Sequence, residues 1–156
     1  MTGTYLPHGW PDGLPDPDLD DLDAGDWWLE CARRRLCMQR CSACGTVRFP
    51  PRPLCHRCLG PSWWWQEVGP GGEIFSVCEP HYPAHPSLRD RPPYLVVLVT
   101  PDGSGGERLV GNLVNGPGDP NDPADQVDLL GLIGRRVNCQ WEPVADRYTL
   151  PQWRLA

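Results

Sequence analysis

Four cysteines in the first half of the chain have the spacing of a metal-binding site. They follow the pattern Cys-x2-Cys-x10-Cys-x2-Cys and comprise Cys41, Cys44, Cys55 and Cys58. Each Cys-x-x-Cys pair can present two thiolates from one tight turn, and two such turns on facing hairpins complete a tetrahedron around an ion. Gly45 follows the first pair, and Gly60 and Pro61 follow the second, which suits such turns. The spacing favours a structural zinc site.

Three alternatives remain open for these cysteines: two disulfides, an iron site of the rubredoxin type, and a redox Cys-x-x-Cys motif. Redox chemistry needs one pair and gains nothing from a second pair at this spacing. Four thiolates leave no coordination position for water, so such a site organises the fold and does not catalyse. The remaining cysteines lack paired spacing and are predicted to be buried apolar fillers: Cys31, Cys37, Cys78 and Cys139.

Charge is unevenly distributed along the 156 residues. Residues 1–30 carry seven Asp, one Glu and no Arg, whereas residues 31–58 carry seven Arg and no acid. Four of these arginines precede the cysteine segment and could hold phosphate groups by bidentate hydrogen bonds: Arg33, Arg34, Arg35 and Arg40. The alternative is a solvated face that balances the acidic N-terminus.

The elements that position these residues follow from composition and periodicity. Residues 1–22, rich in Pro, Gly and Asp, predict an acidic disordered tail. Residues 23–36 predict an amphipathic helix, with Asp26 as its N-cap. Its predicted apolar face consists of Trp28, Leu29, Ala32 and Leu36. Residues 37–66 form the predicted zinc ribbon.

Tryptophans cluster on both sides of the cysteine segment. They comprise Trp27 and Trp28 in the predicted helix, and Trp63, Trp64 and Trp65 after the last cysteine. Three consecutive indoles cannot all face one side of a strand, so at least one is expected in the core and at least one at a domain boundary or an interface. We predict that these five tryptophans form a partner interface, because aromatic anchors dominate such contacts.

The remainder, residues 67–156, has the pattern of a β domain. Five segments are rich in β-branched or aromatic residues and are bounded by Gly or Pro: 73–79, 94–100, 108–115, 135–141 and 148–154. The connection between the third and fourth is longer, and residues 127–133 there suggest a short helical turn. This order predicts a five-stranded Greek-key barrel of the OB type, and the whole chain is predicted to be mainly β.

No segment has the roughly 20 consecutive apolar residues that a membrane-spanning helix needs, and no basic and apolar N-terminus marks a signal peptide. We therefore expect a cytoplasmic location and no membrane partner. No Ser-His-Asp order, phosphate-binding loop or dinucleotide-binding glycine motif is present in the sequence.

The full order of motifs resembles a known family. The helix is followed by Cys-x2-Cys-Gly, the segment Phe49-Pro50-Pro51, the second Cys-x2-Cys, the tryptophans and a Gly-rich turn into the strand that contains Ile74 and Phe75. This resembles the family in which a rubredoxin-like zinc ribbon is joined to an OB-fold barrel, whose members accompany thiolases and lipid-transfer-protein-type aldolases. The similarity covers residues 23–153.

The resemblance implies a non-catalytic accessory subunit, with structural zinc on the four cysteines. Its partner would be a thiolase-like aldolase that cleaves a β-hydroxyacyl-CoA thioester by a retro-aldol step in steroid side-chain degradation. A hetero-oligomer that meets acyl-CoA through the partner follows from this, and the chain would be a required subunit of a carbon–carbon lyase or thiolase complex. The resemblance also makes the phosphates of coenzyme A the candidate ligands of the four arginines: Arg33, Arg34, Arg35 and Arg40. A scaffold that passes acyl-CoA between a thiolase and a second enzyme is the alternative within the family.

A module that binds single-stranded nucleic acid is the rival from another class, because zinc ribbons and OB barrels both serve that role. Residues 59–156 carry seven Arg and twelve acids, and the sequence pI is about 5.1. Electrostatics would therefore oppose nucleic-acid binding by the predicted barrel.

Overall fold

In a computed structural model of the protein, residues 13–90, 94–114, 128–145 and 148–156 are described. Residues 1–12 of the predicted tail, residue 115 of the predicted third strand and residue 127 of the predicted turn lie outside these ranges. The described residues form two sheets, two α-helices and a 3-10 turn at Pro86–Leu88. None of these helices is long and apolar enough to cross a membrane.

The first helix, α1 (Gly25–Ala32), begins earlier than the predicted N-cap. Ala24 occupies the N-cap position without a side-chain hydrogen bond, so the prediction that Asp26 caps the helix is wrong. Asp26 lies in the first turn, where a carboxylate still interacts favourably with the helix dipole. The buried face differs in part from the predicted one, because Trp27, Glu30 and Cys31 point inward. Of the predicted face, Leu36 is buried just after the helix, whereas Leu29 is exposed.

A three-stranded antiparallel sheet follows α1. It consists of β1 (Cys37–Cys41), β2 (Val47–Arg48) and β3 (Trp63–Glu67), in the spatial order β2-β1-β3. Gln39 in the middle of β1 pairs with Arg48 on one side and with Trp65 on the other. The two cysteine turns lie in the connections that leave β1 and enter β3, and this sheet is the structural base of the ribbon.

The second sheet has the five strands that the sequence predicts. They are β4 (Gly71–Cys78), β5 (Val96–Pro101), β6 (Leu109–Asn112), β7 (Arg136–Ala145) and β8 (Tyr148–Leu155), in the antiparallel order β6-β5-β4-β7-β8. The predicted helical turn is α2 (Leu129–Leu132), which precedes β7. A parallel bridge between Leu113 and Trp153 brings the two edges of the sheet together. The sheet is thus curled toward a barrel, with β6 and β8 meeting at this bridge.

One hydrophobic cluster joins the helix, the ribbon and the five-stranded sheet. Trp153 is a fully buried member of this cluster and lies next to Gly111, where a Cβ atom would lie 2.9 Å from the indole. Ile74, Val97 and Val137 contribute from neighbouring strands, and α1 adds Trp27. The indole N–H of Trp27 also donates to the carbonyl oxygen of Cys37 at 2.9 Å. This contact attaches α1 to the first ribbon strand and so positions the cysteine segment.

Candidate metal centre

The four cysteines predicted as metal ligands converge. Their Sγ atoms all lie within 4.8 Å of one another, and the distances are 3.5 Å from Cys41 to Cys58 and 3.7 Å from Cys44 to Cys55. A tetrahedral zinc ion with zinc–sulfur bonds of about 2.3 Å requires sulfur–sulfur separations of about 3.8 Å. A disulfide requires about 2.0 Å. The sulfurs therefore have the spacing of a metal site, and the two-disulfide alternative is excluded by distance.

Local hydrogen bonds favour thiolates at the first cysteine turn, which spans residues 41–45 and is here called the first knuckle. The Thr46 hydroxyl, 3.1 Å from Cys44 Sγ, and the Thr46 backbone N–H lower the pKa of Cys44 to about 6. Backbone N–H groups of Cys44 and Ala43 lower the pKa of Cys41. This knuckle is therefore prepared to present charged sulfur to a cation.

The second cysteine turn, residues 55–60, is here called the second knuckle. The Gly60 N–H favours the Cys58 thiolate, but hydrogen bonds with the Cys44 and Cys41 sulfurs outweigh it and raise the pKa of Cys58 to about 12. Four ionised sulfurs this close repel one another, and a divalent cation between them removes that penalty. The donor set and its geometry thus fit zinc, whose coordination the four sulfurs would complete.

The other cysteines differ from the ligands in environment. Burial raises the pKa of Cys37 to about 11 and the pKa of Cys139 to about 12, and it also raises the pKa of Cys31. Such thiols are chemically inert and act as small apolar side chains. Cys78, at the end of β4, is exposed and Cys139 is half-buried, so the prediction that all four are buried is confirmed only for Cys31 and Cys37.

The five tryptophans predicted at an interface have different surroundings. Trp27 is buried, and its ring lies 4.7 Å from Trp28 and 5.1 Å from Phe49 between centroids. Trp63 and Trp65 share one face of β3 and pack edge to face at 4.8 Å. Trp64 points to the opposite face, is 50% exposed, and has the Arg40 guanidinium 5.9 Å from its ring centroid. Among these indoles, Trp64 presents the surface that is most open to another molecule.

The arginines predicted to contact phosphate already have partners within the chain, with one exception in the described residues. Arg33 and Arg35 form ion pairs with the buried Glu30, at 2.6 and 2.8 Å. Arg40 donates to Gln66 at 2.8 Å. Arg34 is exposed at a positive φ of 58° and forms no ion pair within the described part of the chain. Arg33 and Arg35 thus meet on the Glu30 carboxylate, whereas Arg40 is engaged with a different side chain.

Two features near the metal centre were not predicted from the sequence. Arg48 on β2 is 2% exposed, and within the described residues none of its guanidinium nitrogens has a hydrogen-bond partner. Leu59, directly after the last ligand, is 71% exposed at a φ of 58°. The unusual position of Leu59 could have been recognised from the sequence, since Gly45 occupies the corresponding position after the first Cys-x-x-Cys pair.

Comparison with protein families agrees with this two-part structure. Residues 28–63 match the rubredoxin-like zinc ribbon domain of ChsH2, and residues 65–142 match the C-terminal OB-fold domain of ChsH2. The predicted order of helix, zinc ribbon and five-stranded OB fold is confirmed, as is zinc as the metal of the ribbon.

Among curated proteins, a probable enoyl-CoA hydratase alpha subunit of Thermomonospora curvata is 37% identical over 143 residues. The match spans 91% of this chain but 40% of that protein, so the chain corresponds to about two fifths of the relative's length.

Two solved structures are similar over most of the chain. A chain of the "Ltp2-ChsH2(DUF35) aldolase" is 33% identical with a TM-score of 0.68, and the match covers 91% of this chain and 98% of that one. A DUF35-family protein of unknown function from Sulfolobus solfataricus is 12% identical with a TM-score of 0.52, and the match covers 88% of this chain and 90% of that one. The second similarity shows the shared fold alone.

Proposed function

The chain belongs to the ChsH2 family of zinc-ribbon and OB-fold proteins, and from this membership we propose that it is a non-catalytic subunit of a thiolase-like aldolase complex. One observation carries the proposal: the chain matches 98% of a chain in the Ltp2–ChsH2(DUF35) aldolase structure, at 33% identity. The partner would cleave a β-hydroxyacyl-CoA thioester by a retro-aldol step, with steroid side-chain intermediates as the substrate class.

The role of this chain would be structural. A zinc ion held by four cysteines has no open position for substrate or water, so the ion fixes the two knuckles and takes no part in bond cleavage. The ribbon then presents a rigid surface to the partner, with Trp64 as an aromatic contact. Trp28, Trp63 and Trp65 would support this surface from partly buried positions, and the buried Trp27 would support it from the core.

Coenzyme A would meet this chain at the mouth of the partner's substrate channel. Of the predicted phosphate contacts, Arg34 is the most readily available, because Arg33 and Arg35 would first have to break their ion pairs with Glu30. Arg40 can contribute if a phosphate replaces Gln66 as its acceptor. These contacts would place the CoA end of the thioester against the ribbon while the acyl end enters the partner.

The test is co-purification with a thiolase-like protein encoded beside this chain. Each protein alone and the mixture are then assayed for cleavage of a β-hydroxyacyl-CoA thioester. We expect cleavage in the mixture and no cleavage by this chain alone. Failure to form a complex, together with retardation of single-stranded nucleic acid by this chain at physiological salt, would replace the proposal with the nucleic-acid-binding alternative.

A second candidate function comes from the relative named as a hydratase subunit. Hydration of an enoyl-CoA produces a β-hydroxyacyl-CoA, which is the substrate that a retro-aldol step cleaves. The chain would then act as the scaffold that passes this thioester from a hydratase to an aldolase. The test is to add enoyl-CoA and a hydratase to the same mixture. Cleavage faster than the rates of the hydratase and the aldolase acting independently would favour the scaffold.

A further inference from the structure

The two knuckles of the ribbon have the same backbone turn but different residues at its critical position. In the first knuckle, the N–H of Gly45 donates to the carbonyl oxygen of Cys41 at 2.9 Å, with φ of 73°. In the second knuckle, the N–H of Leu59 donates to the carbonyl oxygen of Cys55 at 2.8 Å, with φ of 58°. Glycine is the residue suited to this left-handed conformation, and leucine is strained in it.

The Leu59 side chain itself does not offset this strain by packing within the chain. The Leu59 side chain is 71% exposed, so it buries little apolar surface. A residue held in a sparsely populated conformation with its apolar side chain in solvent is unusual, and such strain is found at functional positions. The second knuckle therefore holds Leu59 outward, where another molecule can cover it.

The surroundings of Leu59 define the chemistry of that molecule. Leu54, just before the second knuckle, is 49% exposed, and Arg52 and Arg57 are exposed on the same loop. Neither arginine forms an ion pair with an acid in the described ranges. An apolar centre with a cationic rim matches a pocket that is apolar inside and bordered by carboxylates.

The acidic N-terminal segment is the competing occupant within this chain, but its described part is held elsewhere. Asp16 accepts a hydrogen bond from the Tyr148 hydroxyl on β8, and Gly13 lies beside Ser87. Both contacts are with the C-terminal domain and not with the ribbon. Nucleic acid is also disfavoured as the occupant, because leucine side chains offer no flat ring on which a base can stack.

We infer that the second knuckle is the anchor by which this chain docks on its thiolase-like partner, with Leu59 and Leu54 entering an apolar pocket and Arg52 and Arg57 pairing with carboxylates at the rim of that pocket. The inference rests on the proposed function, because it names the site of the same complex. It assigns the metal a role in binding: zinc fixes the turn that displays Leu59.

The decisive variant is Leu59→Gly, because it removes the docking side chain and also relieves the strained backbone. The full-length variant should keep its zinc and melt at the same or a higher temperature than the original chain. Its affinity for the co-purifying thiolase-like protein, measured by titration calorimetry, should fall about tenfold or more. Loss of binding together with unchanged or increased stability is the result expected of a docking residue and not of a structural one.

Two further variants test the docking role of the second knuckle independently of Leu59→Gly. Arg57→Glu should weaken the complex and reduce the dependence of its affinity on salt, even if Leu59→Gly fails to fold. Leu130→Ala removes a leucine of similar exposure, 78%, on α2 and should leave the affinity unchanged. Equal weakening by Leu130→Ala would overturn the assignment to the second knuckle.

The remaining outcomes separate this inference from the proposed function. A complex that forms with equal affinity for the original chain and for Leu59→Gly overturns the inference and leaves the proposed function standing. Failure of the original chain to bind the thiolase-like protein overturns both. Binding of the original chain to single-stranded DNA that Leu59→Gly abolishes would reassign the second knuckle to nucleic acid.

Discussion

The ribbon and the five-stranded sheet of this chain differ in how much apolar side chain they bury. The ribbon strands contribute Met38 to the fully buried cluster, with Val47 and Trp65 partly buried against it. The five-stranded sheet contributes buried side chains from its strands: Ile74, Val97, Val99, Leu109, Val137 and Trp153. A segment as short as the ribbon cannot bury enough apolar surface to offset the entropy of ordering its chain. Metal binding by the four cysteines supplies the stabilising free energy that the small apolar core of the ribbon lacks.

The ribbon and the sheet should therefore be destabilised by different substitutions. The ribbon should depend on its metal, because metal binding and folding are coupled in small metal-binding domains. The sheet should depend on packing around Trp153. Exposed side chains on the ribbon should matter for the partner, whereas comparable side chains on the sheet should not. Three measurements test these differences, in decreasing order of expected effect.

The largest effect is expected for Cys55→Ser. Cys55 is fully buried among the ligands, and structural zinc sites contribute about 10–16 kcal/mol to folding of their domains. We expect loss of bound zinc, loss of hydrogen-exchange protection in β1–β3 and loss of partner binding. Protection in β4, β5, β7 and β8 should persist, since those strands contribute most of the buried side chains of the shared cluster and hold no metal ligand.

Cys78→Ser is the matched control, because Cys78 is exposed and lies outside the metal centre. It should retain the zinc content and exchange pattern of the original chain. The comparison between ribbon and sheet would fail if Cys55→Ser left the ribbon strands protected, or if it removed protection from the five-stranded sheet to the same extent.

An intermediate effect is expected for Trp153→Ala, on the other side of the comparison. Trp153 is fully buried and lies where the sheet edges meet, so its truncation leaves a cavity that costs about 3–5 kcal/mol. Denaturant unfolding should show this loss in the sheet, and metal analysis should show that the ribbon still holds zinc.

Trp153→Phe provides the control for ring volume. Within the described residues, the indole N–H of Trp153 has no hydrogen-bond partner, so removing it sacrifices no hydrogen bond of that kind. This variant should lose much less stability than Trp153→Ala. A comparable loss in both variants would show that the fit against Gly111, rather than buried apolar volume, determines stability at this position.

The same comparison explains what the sequence can predict. Cysteine spacing specifies the metal centre because a tetrahedral site fixes its own geometry, and the five strands follow from alternation of apolar residues between Gly and Pro turns. Which residues expose their side chains to solvent is harder to predict from the sequence. Trp63, Trp64 and Trp65 are indistinguishable by type, and their different exposures depend on which face of β3 each one occupies.

Other features depend on distant contacts that local patterns do not encode. The bridge from Leu113 to Trp153 joins residues that are far apart in the chain, and the inward face of α1 is selected by β8 and β1 rather than by its own periodicity. The N-cap prediction failed for a similar reason, because the chain before α1 is bent back by the Ala24 N–H donating to Asp21. Nothing in the sequence indicates that Arg48 is buried, because a charged side chain is normally expected at the surface.

The smallest of the three effects is expected for Trp64→Ala, which sharpens the comparison at the surface. Phe75 on β4 is its counterpart on the five-stranded sheet: both rings are 50% exposed and each has an arginine over its face. Because exposed aromatic rings contribute little to folding, either truncation should leave the melting temperature nearly unchanged. If the ribbon is the docking surface, Trp64→Ala should weaken the complex with the thiolase-like protein by ~2 kcal/mol, whereas Phe75→Ala should leave its affinity unchanged. Titration calorimetry on both variants decides between the two surfaces, and the reverse pattern would move the interface to the face of β4 that carries Phe75.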